Sequence, residues 1–488
     1  MIRRFLILVL LSVAFSRSDG KNEKKQKIAI LGAGIAGLSA AKAFTEHGYE
    51  DIEVFEAGLE AGGRIQSIPY KDGFLQMAAQ FINGEQNPIY KIAHKLGLIT
   101  GEVSDLGNFD DTHYFAGNCS YSDKDMKAFK AFIEPLDNKY RTLADTDETA
   151  SRKHTMFSIY DIDYQKFLAD YKATPQQRNF FDAMTRSFRT YYEFEWASRW
   201  EDQSMRNLAE WNDLGAIGVS YTTSKIGYKG IIDYIKNETP KDKFRFNSRV
   251  TKIRYDKDGV YLSIGGKELD TRFDHVVVTA ALGHLKAFHR HLFEPALPRH
   301  RQHVIETIGF GGSCKIFFVY ERPFWPKEYR AISPLPIKDC NRKGQVNSIE
   351  SELTTFEVVD WAPNVLTAWI AGHGPTKMDD LTDQQLSNHV TTLFRDMFIN
   401  ASIPAPQNII RRLWHKNDLF NGSYSYVSKE QAAQNIHHWE LSIPVKVNKV
   451  PRILFAGEAT HHRIFQTAVG AYMSGIREVE RLNYFYST

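Results

Sequence analysis

The chain has 488 residues, more than one typical hydrophobic core holds, so two domains are expected. Its 43% hydrophobic and 24% charged residues are ordinary globular composition. A formal net charge of +3 is small for this length and argues against nucleic acid or an acidic surface as a partner.

Residues 1–18 read as a secretory signal peptide. Arg3 and Arg4 precede an apolar run at 5–15, too short to cross a bilayer comfortably. Ala14 and Ser16, or Ser16 and Ser18, are the small residues before a cleavage point; an uncleaved anchor is the alternative. No later apolar run is long enough for a membrane span. Four N-x-S/T sites, at Asn118, Asn237, Asn400 and Asn421, fit the secretory route, so a secreted, N-glycosylated protein is expected. Pro240 follows the Asn237 site, and Asn421 lies in a segment that folding can bury. Three cysteines (Cys119, Cys314, Cys340) are not a disulfide framework; one bridge and one free thiol can form, and Cys314 reads as a core thiol. No metal-ligand spacing occurs, and the adjacent His461 and His462 read as surface or supporting residues.

The first structured unit begins with an apolar strand at 28–31. The turn Gly32-Ala33-Gly34-Ile35-Ala36-Gly37 follows and opens an amphipathic helix at 35–47 that stops at Gly48. A second strand at 52–55 delivers Glu56. Gly32, Gly34 and Gly37 permit a tight turn and close backbone approach, so a pyrophosphate can sit at the helix N-terminus. Glu56 stands where an acid hydrogen-bonds a ribose. Arg64, in Gly62-Gly63-Arg64, can neutralise the pyrophosphate with bidentate geometry.

From about 102 to 214 the composition shifts to Lys, Asp, Phe and Tyr with helical spacing, which predicts a mostly helical insertion over a substrate. Strands return at 250–255, 260–264 and 275–279, with Asp258-Gly259 as a hairpin turn. A strand pair at 315–320 and 366–371, a helix at 379–400, a buried strand at 453–456 and a helix at 470–482 complete the chain. The class is α/β. A Rossmann-type nucleotide-binding domain takes 27–95, 225–285 and 445–485; a discontinuous α+β substrate domain takes 96–224 and 286–444.

These segments together resemble the flavin-containing amine oxidases, and among them the polyamine and spermine oxidases. The resemblance covers nearly the whole chain after the signal. It rests on the glycine turn, on Glu56 with the following GGR loop, and on Val276 to Thr279 with Leu282-Gly283-His284-Leu285-Lys286, where Ala281 replaces the usual proline. It rests also on Trp414 with Gly422-Ser423-Tyr424-Ser425, on Phe455-Ala456-Gly457-Glu458-Ala459-Thr460, and on Gly470-Ala471 with Ser474-Gly475. The resemblance implies a glutathione-reductase-like FAD domain. Gly32, Gly34, Gly37, Glu56, Arg64, Gln80, Val250, Trp414, Gly457, Glu458 and Val469 are then expected around FAD, with the backbone of Val250 at the adenine. Relatives that bind flavin covalently use a cysteine where Ser423 stands, so FAD is expected to be non-covalent. Lys315, costly inside an apolar strand unless paired or functional, is the expected catalytic residue. The implied substrates are a small-molecule amine, most simply a polyamine, and molecular oxygen, with hydrogen peroxide and an aminoaldehyde as products.

The substrate side departs from the family pattern. Asn83 stands where polyamine oxidases carry histidine; it can hydrogen-bond an amine but cannot titrate near neutral pH. Thr467 and Val469 stand where some relatives have tyrosine and histidine, so Phe465 is expected to supply an aromatic wall. Tyr424 is expected to line the amine site, and Glu195 to meet a distal ammonium. Two other readings stay open. One is an L-amino-acid oxidase, although the GxMRIP pattern is missing after the GGR loop. The other is an amine-binding flavoprotein with little turnover. A chromatin amine oxidase is disfavoured by the signal and the lack of an added helical domain.

Overall fold

The computed structural model describes residues 25–104, 112–212, 219–337, 340, 349–353 and 355–487. The signal-peptide reading at 1–18 lies outside them.

The nucleotide half is built on a sheet whose central strands are Ile28–Leu31, Ile52–Phe55 and His275–Val278, paired in parallel. Phe244–Arg245 extends one edge and Val450–Phe455 the other, both parallel, with Val445–Val447 antiparallel outside. Ile28–Leu31 and His275–Val278 are buried at every position, as strands covered on both faces must be. Side-chain alternation sorts them. Ile28, Ile30, Val54 and Val277 pack with the helices Ile35–Glu46, Tyr228–Asn237 and Ala468–Ser487. Ala29, Leu31, Val276 and Val278 pack with the small sheet that contains Val250–Tyr255 and Val260–Ile264.

The predicted strand at 28–31 and the strands at 52–55, 250–255 and 260–264 appear with those bounds. The helices at 35–47, 379–400 and 470–482 appear as Ile35–Glu46, Asp383–Phe398 and Ala468–Ser487. Domain edges differ from the expected ones. Leu98 and Tyr221 pack into the nucleotide core, because Ile99–Ser104 and Val219–Thr223 pair with each other and with Ile82–Asn83. Val304, Ile305 and Ile308, expected in the substrate half, bury themselves against the nucleotide sheet.

The second half carries a six-stranded sheet in the order Asn408–Arg411, Cys314–Val319, Val365–Ile370, Phe356–Val358, Ala331–Pro334 and Thr112–Phe115. Its pairs are antiparallel except the last. The predicted strand pair at 315–320 and 366–371 appears as Cys314–Val319 and Val365–Ile370, second and third in this order. The helices Asp123–Ile133, Leu136–Thr146, Met156–Tyr171 and Pro175–Glu195 form the predicted insertion, joined through Phe129, Tyr140, Tyr160, Tyr164 and Phe181. Thr155 and Thr174 close capping boxes at the starts of the last two of these helices. Cys119 and Cys340 are disulfide-bonded, with Cα atoms 5.6 Å apart, and Cys314 is a buried free thiol.

The last helix crosses Ile35–Glu46 at Gly475. A Cβ there would stand 2.2 Å from both the Ala36 carbonyl oxygen and Ser39 Oγ. Ser39 Oγ itself donates to the carbonyl of Tyr472 at 2.7 Å, fixing the crossing. Gly475→Val is expected to destabilise the nucleotide half by about 1–3 kcal/mol through overpacking. A drop in the thermal unfolding midpoint of the purified variant checks this.

Candidate active site

The first cluster lies at the C-terminal edge of the nucleotide sheet. Gly32 has φ +102, and a Cβ on it would meet Thr279 Oγ1 at 2.6 Å; a Cβ on Gly37 would fall 1.9 Å from the Gly32 carbonyl oxygen. Around Gly34 the space is open to 3.8 Å, where the Cα of Gly63 lies. The glycine turn and the GGR loop are thereby held side by side, with the Gly62 N–H donating to the Ala33 carbonyl at 2.9 Å.

Glu56 is buried, and its two oxygens accept from the backbone N–H groups of Ala33 and Gly58, each at 2.7 Å. An ionised carboxylate has about four acceptor positions, so two stay available. The backbone of Glu56 and Gly58 also accepts from Ser248 and Asn247, which brings Val250 beside them. Glu458 is the second hub. It accepts from Arg64 Nη1 at 3.0 Å, Ser425 Oγ at 2.6 Å and the Gln466 N–H at 3.0 Å. Arg64 also donates to the Ser423 carbonyl at 2.5 Å. Arg64, Ala280, Gly457 and Glu458 line a cavity of about 10 Å³ at this junction, room for a single water. The groups that suit the ribose and pyrophosphate of a dinucleotide are the close-approach turn, the buried acid with spare acceptors and the arginine beside them.

The second cluster centres on Lys315, 1% exposed in Cys314–Val319. Its Nζ donates to the Gln76 carbonyl at 3.0 Å and to Gln80 Oε1 at 2.7 Å. Strand register sets Lys315 opposite Trp369, and Nζ lies 4.4 Å from the indole ring centroid. Burial is the main influence on this amine, and the Glu357 carboxylate opposes it; the net effect lowers its pKa to about 7. Phe194 packs on Trp369 with ring centroids 4.2 Å apart, and Tyr424 Oη donates to the Phe194 carbonyl at 2.6 Å. One indole face thus covers the lysine, and Phe194 and Tyr424 back that indole. Burial raises the Tyr424 phenol well above its usual range, so it stays neutral.

Several predicted residues lie elsewhere. Phe465 supplies no wall: it is fully buried and stacks on His438, with centroids 4.0 Å apart at 8°. Burial drives His438 down to about 3, so that ring is neutral. Thr467 caps the last helix, accepting from the Gly470 N–H at 2.9 Å. Trp414 is 3% exposed in the core of the six-stranded sheet; its segment contributes the Ser423 carbonyl instead. Val469 is packed in the nucleotide core. Gln80, expected at the cofactor, accepts from Lys315. Asn83 Nδ2 donates to Ser220 Oγ at 3.3 Å. Glu195 is exposed at the end of Pro175–Glu195, near enough to act electrostatically on Tyr424. The buried acid of that segment is Glu193, 3.5 Å from Arg189, whose carboxyl burial raises to about 7. Trp369 and Glu357 were missed. The signal available was their place in short apolar strands, where a half-buried indole and an acid break the pattern.

The sequence model of "flavin containing amine oxidoreductase" matches residues 35–483. The chain is 27% identical to "Peroxisomal N(1)-acetyl-spermine/spermidine oxidase" of Bos taurus, over 93% of this chain and 94% of that one. It is 28% identical to the Homo sapiens protein of the same name, over 95% and 96%. Among solved structures, putrescine oxidase with bound putrescine superposes with a TM-score of 0.65 at 15% identity, covering 94% of this chain and 99% of that one.

Glu56→Ala strips two N–H groups of their acceptor at the turn. The variant is expected to bind flavin about 5- to 150-fold more weakly than wild type, the ~1–3 kcal/mol cost of buried unpaired donors. Flavin absorbance per protein checks this.

Proposed function

This chain belongs to the flavin-containing amine oxidoreductases and is an FAD-dependent amine oxidase, and we propose that its substrates are polyamines and that it acts in the secretory pathway or outside the cell. The observation that carries the polyamine reading is the buried Lys315 under the indole of Trp369, which Phe194 and Tyr424 back. Full-length similarity to two N(1)-acetyl-spermine/spermidine oxidases supports it.

The Gly32–Gly37 turn, Glu56, Arg64, Val250, Gly457 and Glu458 would hold FAD, without a covalent link. FAD held there would supply the hydride acceptor for the carbon next to the amine nitrogen and the route of the electron pair to oxygen, the products being hydrogen peroxide and, after hydrolysis of the imine by water, an aminoaldehyde.

The chain's own residues prepare the amine. Aromatic faces attract the incoming ammonium and exclude water. The amine must then lose a proton, and Asn83 cannot take it. A neutral Lys315 spends its two N–H groups on Gln76 and Gln80 and keeps a lone pair on Nζ. With its pKa lowered to about 7, Nζ is largely neutral above that pH and can accept the proton.

An L-amino-acid oxidase would need an arginine for the carboxylate. The groups named around Lys315 include none, and Arg64 is engaged by Glu458. The disulfide supports an oxidising compartment, as do the exposed Asn118, Asn237 and Asn400. The fourth site is different: the Ser423 hydroxyl next to Asn421 is buried, donating to the Ser313 carbonyl at 2.6 Å.

Anaerobic mixing with spermine, spermidine, their N-acetyl forms and L-amino acids tests the substrate class. Rapid bleaching of the flavin by a polyamine is expected; bleaching by L-amino acids alone would replace this reading with the other oxidase. The rate of reduction at low substrate should rise with pH through about 7, because Lys315 is charged below that value and neutral above it. Lys315→Met should keep its flavin, lose at least about tenfold in rate and lose that pH limb. Wild-type turnover in the variant would remove Lys315 from the mechanism.

A further inference from the structure

A chain of buried side chains ends on Glu458, and its hydrogen bonds can run in one direction only. The chain starts at a backbone donor. The N–H of Gly309, in the strand Gly309–Gly311, donates to Gln431 Oε1 at 3.2 Å. That bond fixes the Gln431 amide with its nitrogen toward His438, and Gln431 Nε2 lies 3.2 Å from His438 Nδ1. An amide nitrogen only donates, so Nδ1 is the acceptor and the ring proton sits on Nε2. His438 Nε2 lies 3.2 Å from Ser425 Oγ. Nε2 therefore donates to the hydroxyl, whose single proton goes to Glu458 Oε2 at 2.6 Å.

Gln431, His438 and Ser425 are each at most 1% exposed, so bulk water offers them no other partner. Burial, seconded by Arg206 and His437, keeps the His438 ring neutral, and the order of donors holds at neutral pH. Both ends of the chain sit on one ribbon, because Gly309–Gly311 pairs with Tyr424–Tyr426. Phe465 stacks on His438 and fixes the plane of its ring.

The consequence falls on the two oxygens of Glu458. Oε2 accepts from Ser425 Oγ and the Gln466 N–H, and at 3.4 Å from the Ser425 N–H. Oε1 accepts from Arg64 Nη1 at 3.0 Å. Each carboxylate oxygen has about two acceptor positions. Oε2 is thus spent within the protein, and the free position is on Oε1, beside the arginine. Resting on the assignment of Glu458 to FAD above, we propose that His438 is a positioning residue of the cofactor site. It holds the Ser425 hydroxyl on Glu458 Oε2 and so leaves Oε1 for a hydroxyl of the cofactor.

The test is the flavin dissociation constant, from equilibrium dialysis of purified holoenzyme. Ser425→Ala should weaken flavin binding about 10- to 100-fold, the worth of one hydrogen bond to a charged group. His438→Phe keeps a ring under Phe465 but removes both nitrogens, and should weaken binding about three- to tenfold. His438→Gln offers an amide nitrogen to Ser425 and should stay within about twofold of wild type. In the double variant, His438→Phe should add nothing to Ser425→Ala, because the ring acts through the hydroxyl. A packing loss would add in full, and glutamine would not rescue it. Where His438→Phe does not fold, the ring itself is read. In holoenzyme made with isotope-labelled histidine, the nitrogen resonances that vanish in His438→Gln should report a neutral ring protonated on Nε2. A ring protonated on Nδ1, or additive losses in the double variant, overturns the assignment and leaves Glu458 at the cofactor. Wild-type flavin affinity in Glu458→Gln overturns the placement of Glu458 itself.

Discussion

An amine at the bottom of an apolar sheet is the constraint on which the second half of this molecule depends. Moving a lysine out of water penalises its charged form unless partners compensate. Here the partners are two oxygens from one loop, the Gln76 carbonyl and Gln80 Oε1, and one indole face. Gln76 ends the hairpin Ser67–Tyr70 and Gly73–Gln76, whose Leu75 and the following Met77 pack in the same core as Ile316 and Phe317. The position and the protonation of the amine both depend on that packing.

Glu458 makes the corresponding connection on the nucleotide side. Its oxygens gather Arg64 from the glycine loop, Ser425 from the Tyr424–Tyr426 strand and the Gln466 backbone. Ser425 Oγ lies 3.2 Å from His438 Nε2, and His438 stacks on Phe465. A buried network of this kind favours a single geometry because each member left unpaired is costly. It explains why Phe465 is held away from the indole that covers Lys315: its ring closes the neutral end of the network.

Much of the nucleotide half was legible in the sequence because local chemistry decides it. A glycine turn between an apolar strand and an amphipathic helix has few alternative structures, and Glu56 follows from the next strand. Lys315 was legible for the same reason, as a charge in an apolar run. The substrate wall was less so. Phe465 and Thr467 sit close in sequence to Glu458, but the chain turns between them, spending one on stacking and the other on a helix cap. Trp369 came to face Lys315 only through strand register, which pairs residues about 54 positions apart. Nothing in a local window contains that pairing.

The Cys119–Cys340 bond joins the two excursions that the chain makes away from the nucleotide sheet, across 221 residues of sequence. On a ribosome the second cysteine therefore emerges long after the first. At 5–20 residues per second the wait is roughly 10–45 s. During that interval the helical insertion carries an unpaired thiol, and the strands Phe244–Arg245 and His275–Val278 are synthesised inside the loop still to be closed. The covalent ring can thus close no earlier than the synthesis of Cys340, and it encloses two strands of a nucleotide sheet whose last parallel strand, Val450–Phe455, is made after that point.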